Sequence, residues 1–235
     1  MSDAVTTTTD GDVAVIRLDD GKANALSFDV LAALSAALEQ AAANSKATVL
    51  IGREGKFSAG FDLSVMTGDS AEAAANLLQA GALLGLQVFE SPIPVVFGVT
   101  GHALARGGIL LTCADYRVGA DGPYKIGLNE VAIGMAVPSF AVELCRDRLV
   151  KSWFTRCVQH AHICSPAEAL AASFLDEVVP LDQVGDRAIE VAHQLAATVH
   201  PMPFQVTRKL MRGALADDLR TGIERDLKLF ELKPS

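Results

Sequence analysis

The chain lacks the marks of a metal protein, a secreted protein or a membrane protein. Its four cysteines, Cys113, Cys145, Cys157 and Cys164, form no CxxC pair and have no histidine at zinc-finger spacing. Cys157, His160, His162 and Cys164 crowd together, but their spacing matches no familiar metal pattern. They read as helix and loop residues of a cytoplasmic protein with reduced thiols, and no metal is expected. The opening stretch MSDAVTTTTDGD is acidic and polar, without the basic segment of a signal peptide. The longest oily stretches, AGALLGLQVF and VAIGMAVPSFAV, fall short of the ~18 apolar residues of a membrane span. Basic runs are missing too, and the net charge is −8, so nucleic acid is excluded as a partner.

Two catalytic signatures are also missing. The glycines of VVFGVTGHALARGG fall at 98, 101, 107 and 108, which is not the GxGxxG of a dinucleotide site. No GxSxG elbow occurs, no serine has a histidine and an aspartate in register, and Ser58 in FSAG reads as a loop residue. The sequence shows no internal repeat, and its only low-complexity tract is the N-terminal threonine run.

What is present is apolar. Of 235 residues 50% are hydrophobic, and mean hydropathy is +0.30. This suits one large domain whose core needs neither disulfides nor metal, with apolar surface left over for self-association.

Along the chain, DVAVIRLDD sets Val13, Val15 and Arg17 against Ala14, Ile16 and Leu18, the period of a strand. GKANALS follows as a turn, then a helix with Ser27 as N-cap and Val30, Leu31, Leu34 and Leu38 as its apolar stripe. ATVLIGRE is a second strand, GKFSAGFDL a loop, residues 70–90 a helix, PIPVVFGV a third strand and DYRVGA a fourth. The alternation predicts an α/β fold with crossover helices. After residue 137 the pattern is wholly helical. Ser165, Pro166 and Glu168 form a helix start, and an amphipathic helix over 203–232 needs a surface to pack on, in this chain or another.

Two glycine-bearing turns, FSAGFDL and GHALARGG, each lead from a strand into a helix. Delivered by neighbouring strands, they let two backbone N–H groups converge on one oxygen, with the positive end of a helix dipole behind them. Glycine at such turns also has a purely steric reading.

GKANALS, GKFSAGFDL, GHALARGGILLTCADYRV and YKIGLNEVAIGM, in this order and at these separations, resemble the enoyl-CoA hydratase/isomerase (crotonase) family over nearly the whole chain. The resemblance implies a repeated ββα spiral core over 1–180 and a helical trimerisation region over 181–235. It also implies homotrimers or hexamers, and acyl-CoA thioesters as substrates, so that coenzyme A arrives with the substrate and no cofactor is permanently bound. Carried over, Phe61 and Arg106 supply the oxyanion amides. Lys22, Ala23 and Ala59 meet the nucleotide end of CoA, and Asp62, Leu63, Gly107 and Ile109 line the substrate site. Relatives usually have glycine where Arg106 stands; only its N–H is used, but its side chain needs a place. Lys22 makes independent sense as a local cation for a polyanion on an acidic protein, or else is a solvated turn lysine. Asp62 reads foremost as a loop cap.

Family hydratases carry two glutamates. Here the first position is Ile109 and the second is Glu130. One carboxylate does not readily hold and activate water, but it can take a proton from one carbon and return it to another. The resemblance therefore implies moving a double bond, 3-enoyl to 2-enoyl, in fatty-acid oxidation; hydration of 2-enoyl-CoA and acyl-CoA binding without catalysis are the alternatives. Glu130, just ahead of the apolar VAIGMAV, is expected to have a raised pKa, unless it is merely an edge charge.

Overall fold

A computed structural model describes residues 3–231; the first two residues of the acidic opening, and the end of the 181–235 region with residue 232 of the predicted helix, lie outside the described residues. The threonine run is not a featureless tract. It forms β1 (Val5–Asp10), antiparallel to β2 (Val13–Leu18), because consecutive β-branched residues suit an exposed edge strand.

From β2 onward a unit of two strands and a helix recurs. Its members are β2, β3 (Ala25–Leu26) and α1 (Phe28–Asn44); then β4 (Ala47–Ile51), β5 (Gly55–Ser58), β6 (Gly60–Phe61), α2 (Leu63–Met66) and α3 (Ala71–Phe89); then β7 (Val95–Val99), β8 (Gly101–Leu104) and α4 (Arg106–Leu111). A further strand pair, β9 (Tyr116–Ala120) and β10 (Ile126–Gly127), follows. The first strand of each unit enters a six-stranded sheet of order β1-β2-β4-β7-β9-β11, parallel throughout except for β1. The second strands build smaller parallel sheets, β10-β8-β5 and β3-β6. This is the expected spiral, and its repeat is geometric rather than visible in the residues. The stretch 55–63, read as a loop, is strand β5, strand β6 and the start of α2, with Ser58 inside β5 donating its hydroxyl to the Asn24 carbonyl at 2.8 Å.

The C-terminal part is not wholly helical. After α5 (Ser139–Arg148), α6 (Lys151–Val158) and α7 (Pro166–Ala172), strand β11 (Glu177–Val179) joins the edge of the main sheet beside β9. A tertiary ion pair holds it there. Fully buried Arg117 of β9 donates to Asp176 from Nε at 2.8 Å and to the carbonyls of Leu111 and Ala114 at 3.0 and 2.7 Å. Helix α8 (Val184–Thr198) covers one face of the main sheet with Val184, Ala188, Val191 and Ala192 against Val13, Val15, Val49 and Val96. The opposite face carries the larger core, where α1 and α3 bury their stripes with Ile16, Leu50 and Phe97.

Both helix starts read from the sequence are present: Ser27 accepts from Val30 N–H, and Ser165 and Glu168 close a capping box. Helix α9 (Pro201–Glu231) packs on α3 and α5 of its own chain. Arg208 and Arg212 fasten it to Asp115 at 2.5 and 3.1 Å. Met202, Val206, Leu210 and Met211 remain exposed on it.

Candidate active site

The two glycine-bearing turns lie side by side because β5 and β8 are neighbours in one sheet. Gly60 adopts φ +101°, and a Cβ on it would lie 3.0 Å from Ala105 Cβ and 3.3 Å from the Arg106 nitrogen. Only glycine permits both that conformation and that approach. In the second turn Ala105 holds φ 50° and ψ −124°, a strained conformation for a residue with a Cβ, at a cost of about 1–3 kcal/mol. Arg106 is the first residue of α4, so its N–H has no carbonyl within the helix to meet. Phe61 is held by the pairing of β6 with β3, and the next amide, Asp62 N–H, donates to the Leu26 carbonyl at 3.3 Å.

Between the turns opens a narrow, mainly apolar cavity of about 30 Å³. Phe61, Arg106, Ile109 and Glu130 all line it, closed in by Met66, Leu78, Met135, Ala136, Pro138 and Phe140. Glu130 precedes a short 3-10 turn (Val131–Ile133) and is 8% exposed, with Oε2 lacking a hydrogen-bond partner among the described residues. Burial pushes its carboxyl above the ordinary glutamate value, and the backbone N–H of Glu130, the Arg106 guanidinium and the backbone N–H of Asn129 only partly offset this. Ile109 faces the same space, 2% exposed.

The residues read as CoA contacts group at a second place. Ala59 N–H donates to the Ala23 carbonyl at 3.0 Å, and both adjoin the exposed Lys22. Asn24, which the sequence reading passed over, organises this turn. At φ 52° and fully buried, it donates from Nδ2 to the carbonyls of Leu18, Lys56 and Phe57 at 2.8, 3.2 and 3.1 Å. Arg53, also passed over, donates to the Lys22 carbonyl at 2.7 Å and pairs with Asp19 at 3.0 Å. Asp62 caps α2 by accepting from Ser64 N–H at 2.9 Å, and Leu63 is 68% exposed beside it. Gly107 does not line the cavity; a Cβ on it would meet Ser58 Cβ at 2.9 Å, so glycine is required there for α4 to lie on β5.

Elsewhere, Cys157 and Cys164 bring their sulfurs to 3.7 Å, whereas His162 turns to Glu168 at 3.3 Å. Among the described residues no group of three or more metal-binding side chains occurs, and no helix is long and apolar enough to cross a membrane.

The sequence pattern of the family described as enoyl-CoA hydratase/isomerase matches residues 8–235. The chain belongs to this family. It is 36% identical over 224 residues to the mitochondrial enoyl-CoA delta isomerase 1 of Mus musculus, covering 93% of this chain and 76% of that protein. A crystal structure of an enoyl-CoA hydratase/isomerase family protein from Pseudomonas syringae superposes with a TM-score of 0.93 at 42% identity, over 96% of this chain and 97% of that one. The human mitochondrial delta3-delta2-enoyl-CoA isomerase superposes with a TM-score of 0.91 at 31% identity, over 97% and 90% of the two chains.

Proposed function

We propose that this enzyme moves the double bond of a 3-enoyl-CoA to the 2-position, as a step of fatty-acid oxidation. The carrying observation is a cavity with one carboxylate, Glu130, and an isoleucine in place of a second. The thioester oxygen is held by the N–H groups of Phe61 and Arg106. Glu130 takes a proton from C2, the negative charge spreads through the dienolate onto that oxygen, and the same proton returns at C4. The apolar walls exclude water, which suppresses addition across the product's double bond. Lys22, Ala23 and Ala59, with Arg53 near them, receive the nucleotide of CoA, while Asp62, Leu63 and Ile109 border the path of the thioester. No resident cofactor takes part, and the four buried thiols suit the reducing cytoplasm.

Product analysis tests this reading. Offered 3-enoyl- and 2-enoyl-CoA thioesters, the enzyme is expected to interconvert them and to yield little 3-hydroxyacyl-CoA. Rapid hydration with negligible bond migration would replace the isomerase by a hydratase, and tight binding without turnover would leave a binding protein.

The pH dependence has a definite sign. The base works only as a carboxylate, so kcat/KM falls as pH drops through the pKa of Glu130. Because burial raises that pKa, the acid limb should lie above the ordinary glutamate range. A limb at or below that range, in a pH–rate profile with a 3-enoyl-CoA, would remove Glu130 from the role.

We also propose a homotrimer or hexamer, with the 181–235 region contributing to the contact. Exposed Met202, Val206 and Leu210 recur every four residues along α9 and form an apolar stripe of the kind that seeks a partner. Sedimentation at micromolar concentration should show a multiple of the 24.7 kDa chain, and a stable monomer would contradict it.

A further inference from the structure

The side chain of Arg106 has no part in the reaction as derived above, yet the fold makes a seat for it. It runs back from the oxyanion turn into the body of the protein and is 1% exposed. Its guanidinium lies 5.5 Å from the centre of the Phe140 ring and donates from Nη2 to the Gly81 carbonyl. Gly81 and Gly85 stand one helical turn apart in α3, on the face that receives it. A Cβ on Gly85 would lie 2.5 Å from Nη2, whereas one on Gly81 would strike the Phe61 ring first and lie 3.2 Å from Nε. Glycine weakens a helix interior relative to alanine, so these two answer a need for space, Gly85 for the guanidinium and Gly81 chiefly for the Phe61 ring.

The seat leaves the guanidinium unsatisfied. Among the described residues, Nε and Nη1 are buried without a hydrogen-bond partner, and the Oε2 of Glu130, which lines the same cavity as Arg106, has none either. Burial works against the positive charge, and the neighbouring Glu130 offsets this only in part. Burial also raises the pKa of Cys113 and Cys145, so both are neutral thiols, and Glu130 is the one acidic group that balances the arginine in this set. Buried donors of this kind are costly unless something accepts from them.

Resting on the isomerase reading of the site, we infer that Arg106 is a specificity-determining residue whose guanidinium recognises an oxygen acceptor on the acyl chain. A chain whose C2–C4 segment reaches Glu130 enters the cavity that Arg106 lines. A pure hydrocarbon covers Nε and Nη1 without satisfying them, whereas a hydroxyl, keto or carboxyl oxygen accepts from them. A site built to hydrogen-bond its substrate discriminates sharply against an analogue that lacks the partner. Arg106 and Glu130 already sum to zero charge, so an uncharged oxygen adds hydrogen bonds without adding a net charge.

The test uses three six-carbon 3-enoyl-CoA thioesters that end in methyl, hydroxyl or carboxyl. The wild-type enzyme is expected to show kcat/KM on the order of 10-fold or more in favour of an oxygen-bearing thioester over the methyl one. Arg106→Met keeps an unbranched apolar stem, shorter than arginine, and removes the donors; it should reverse this preference, raising the rate with the hydrocarbon and lowering it with the others. The hydroxyl and carboxyl arms identify which oxygen is preferred, and preference for either one supports the inference. A wild-type ratio near one, or in favour of the hydrocarbon, overturns it, as does a preference that Arg106→Met leaves unchanged. Should that variant not fold, inhibition of the wild type by hexanoyl-CoA, 6-hydroxyhexanoyl-CoA and adipoyl-CoA gives the same comparison. Absence of turnover with all three 3-enoyl thioesters would sink the isomerase reading, and the inhibition constants would then decide the role of Arg106 by themselves.

Discussion

Replacing Glu130 by glutamine is expected to lower kcat for 3-enoyl-CoA isomerisation by roughly 10²–10⁴-fold while acyl-CoA still binds. Glutamine fills the same space in the cavity but cannot carry a proton from C2 to C4. A rate above the uncatalysed background should survive, because the amides of the two turns still stabilise the charge on the thioester oxygen. The substitution has a second consequence, for stability. Burial raises the carboxyl pKa in the folded state above its unfolded value. The stability tied to its protonation is therefore fully present below the unfolded pKa and is lost as pH rises through the folded one. Glutamine never ionises, so Glu130→Gln should unfold at a higher temperature than the wild type at neutral pH, with the gap closing in acid. Steady-state rates, acyl-CoA binding and thermal melts at two pH values check both halves. A variant that keeps near-native turnover would end the role of Glu130 as the base.

The second large effect lies in the backbone. Arg106 is the first residue of α4, a position that accepts proline, and proline there deletes the N–H proposed to hold the thioester oxygen. Proline also removes the guanidinium, so the comparison that isolates the amide is Arg106→Pro against Arg106→Ala. The proline variant should be slower than the alanine variant by about 3 kcal/mol of transition-state stabilisation, on the order of 10²-fold in kcat. Circular dichroism and melting curves establish that both are folded. Equal rates in two well-folded variants would take the Arg106 amide out of the mechanism.

Much of the architecture was legible from local chemistry. Ser27 and Ser165 announce helices because a hydroxyl at that position satisfies an amide that the helix itself cannot. The strands around Val15, Val49 and Val96 are readable because they bury both faces and are almost uniformly apolar. Other elements were not readable, since what fixes them lies far away in the chain. Strand β11 is three residues long and exists because β9 offers it an edge and Arg117 holds Asp176 beside it. The pairs β3-β6 and β5-β8 are short as well, and each is stabilised by a partner from another unit of the spiral.

The same division runs through the site. The sequence by itself determined the chemistry available: a glutamate at 130, an isoleucine at 109, and two turns with glycine where backbone must come close. These are matters of residue type, and residue type decides what can carry a proton or adopt φ +101° at Gly60. Helix α3, in contrast, reads in sequence as an ordinary Ala/Leu-rich helix, and the two glycines inside it were the one local sign of something unusual. Only the tertiary structure decided that Gly81 and Gly85 form the seat of Arg106, and that Arg106 shares a cavity with Glu130, 24 residues further along the chain. The reason is physical: the direction of a long side chain is set by the free space around it, and that space exists only once α3, α4 and α5 have packed together.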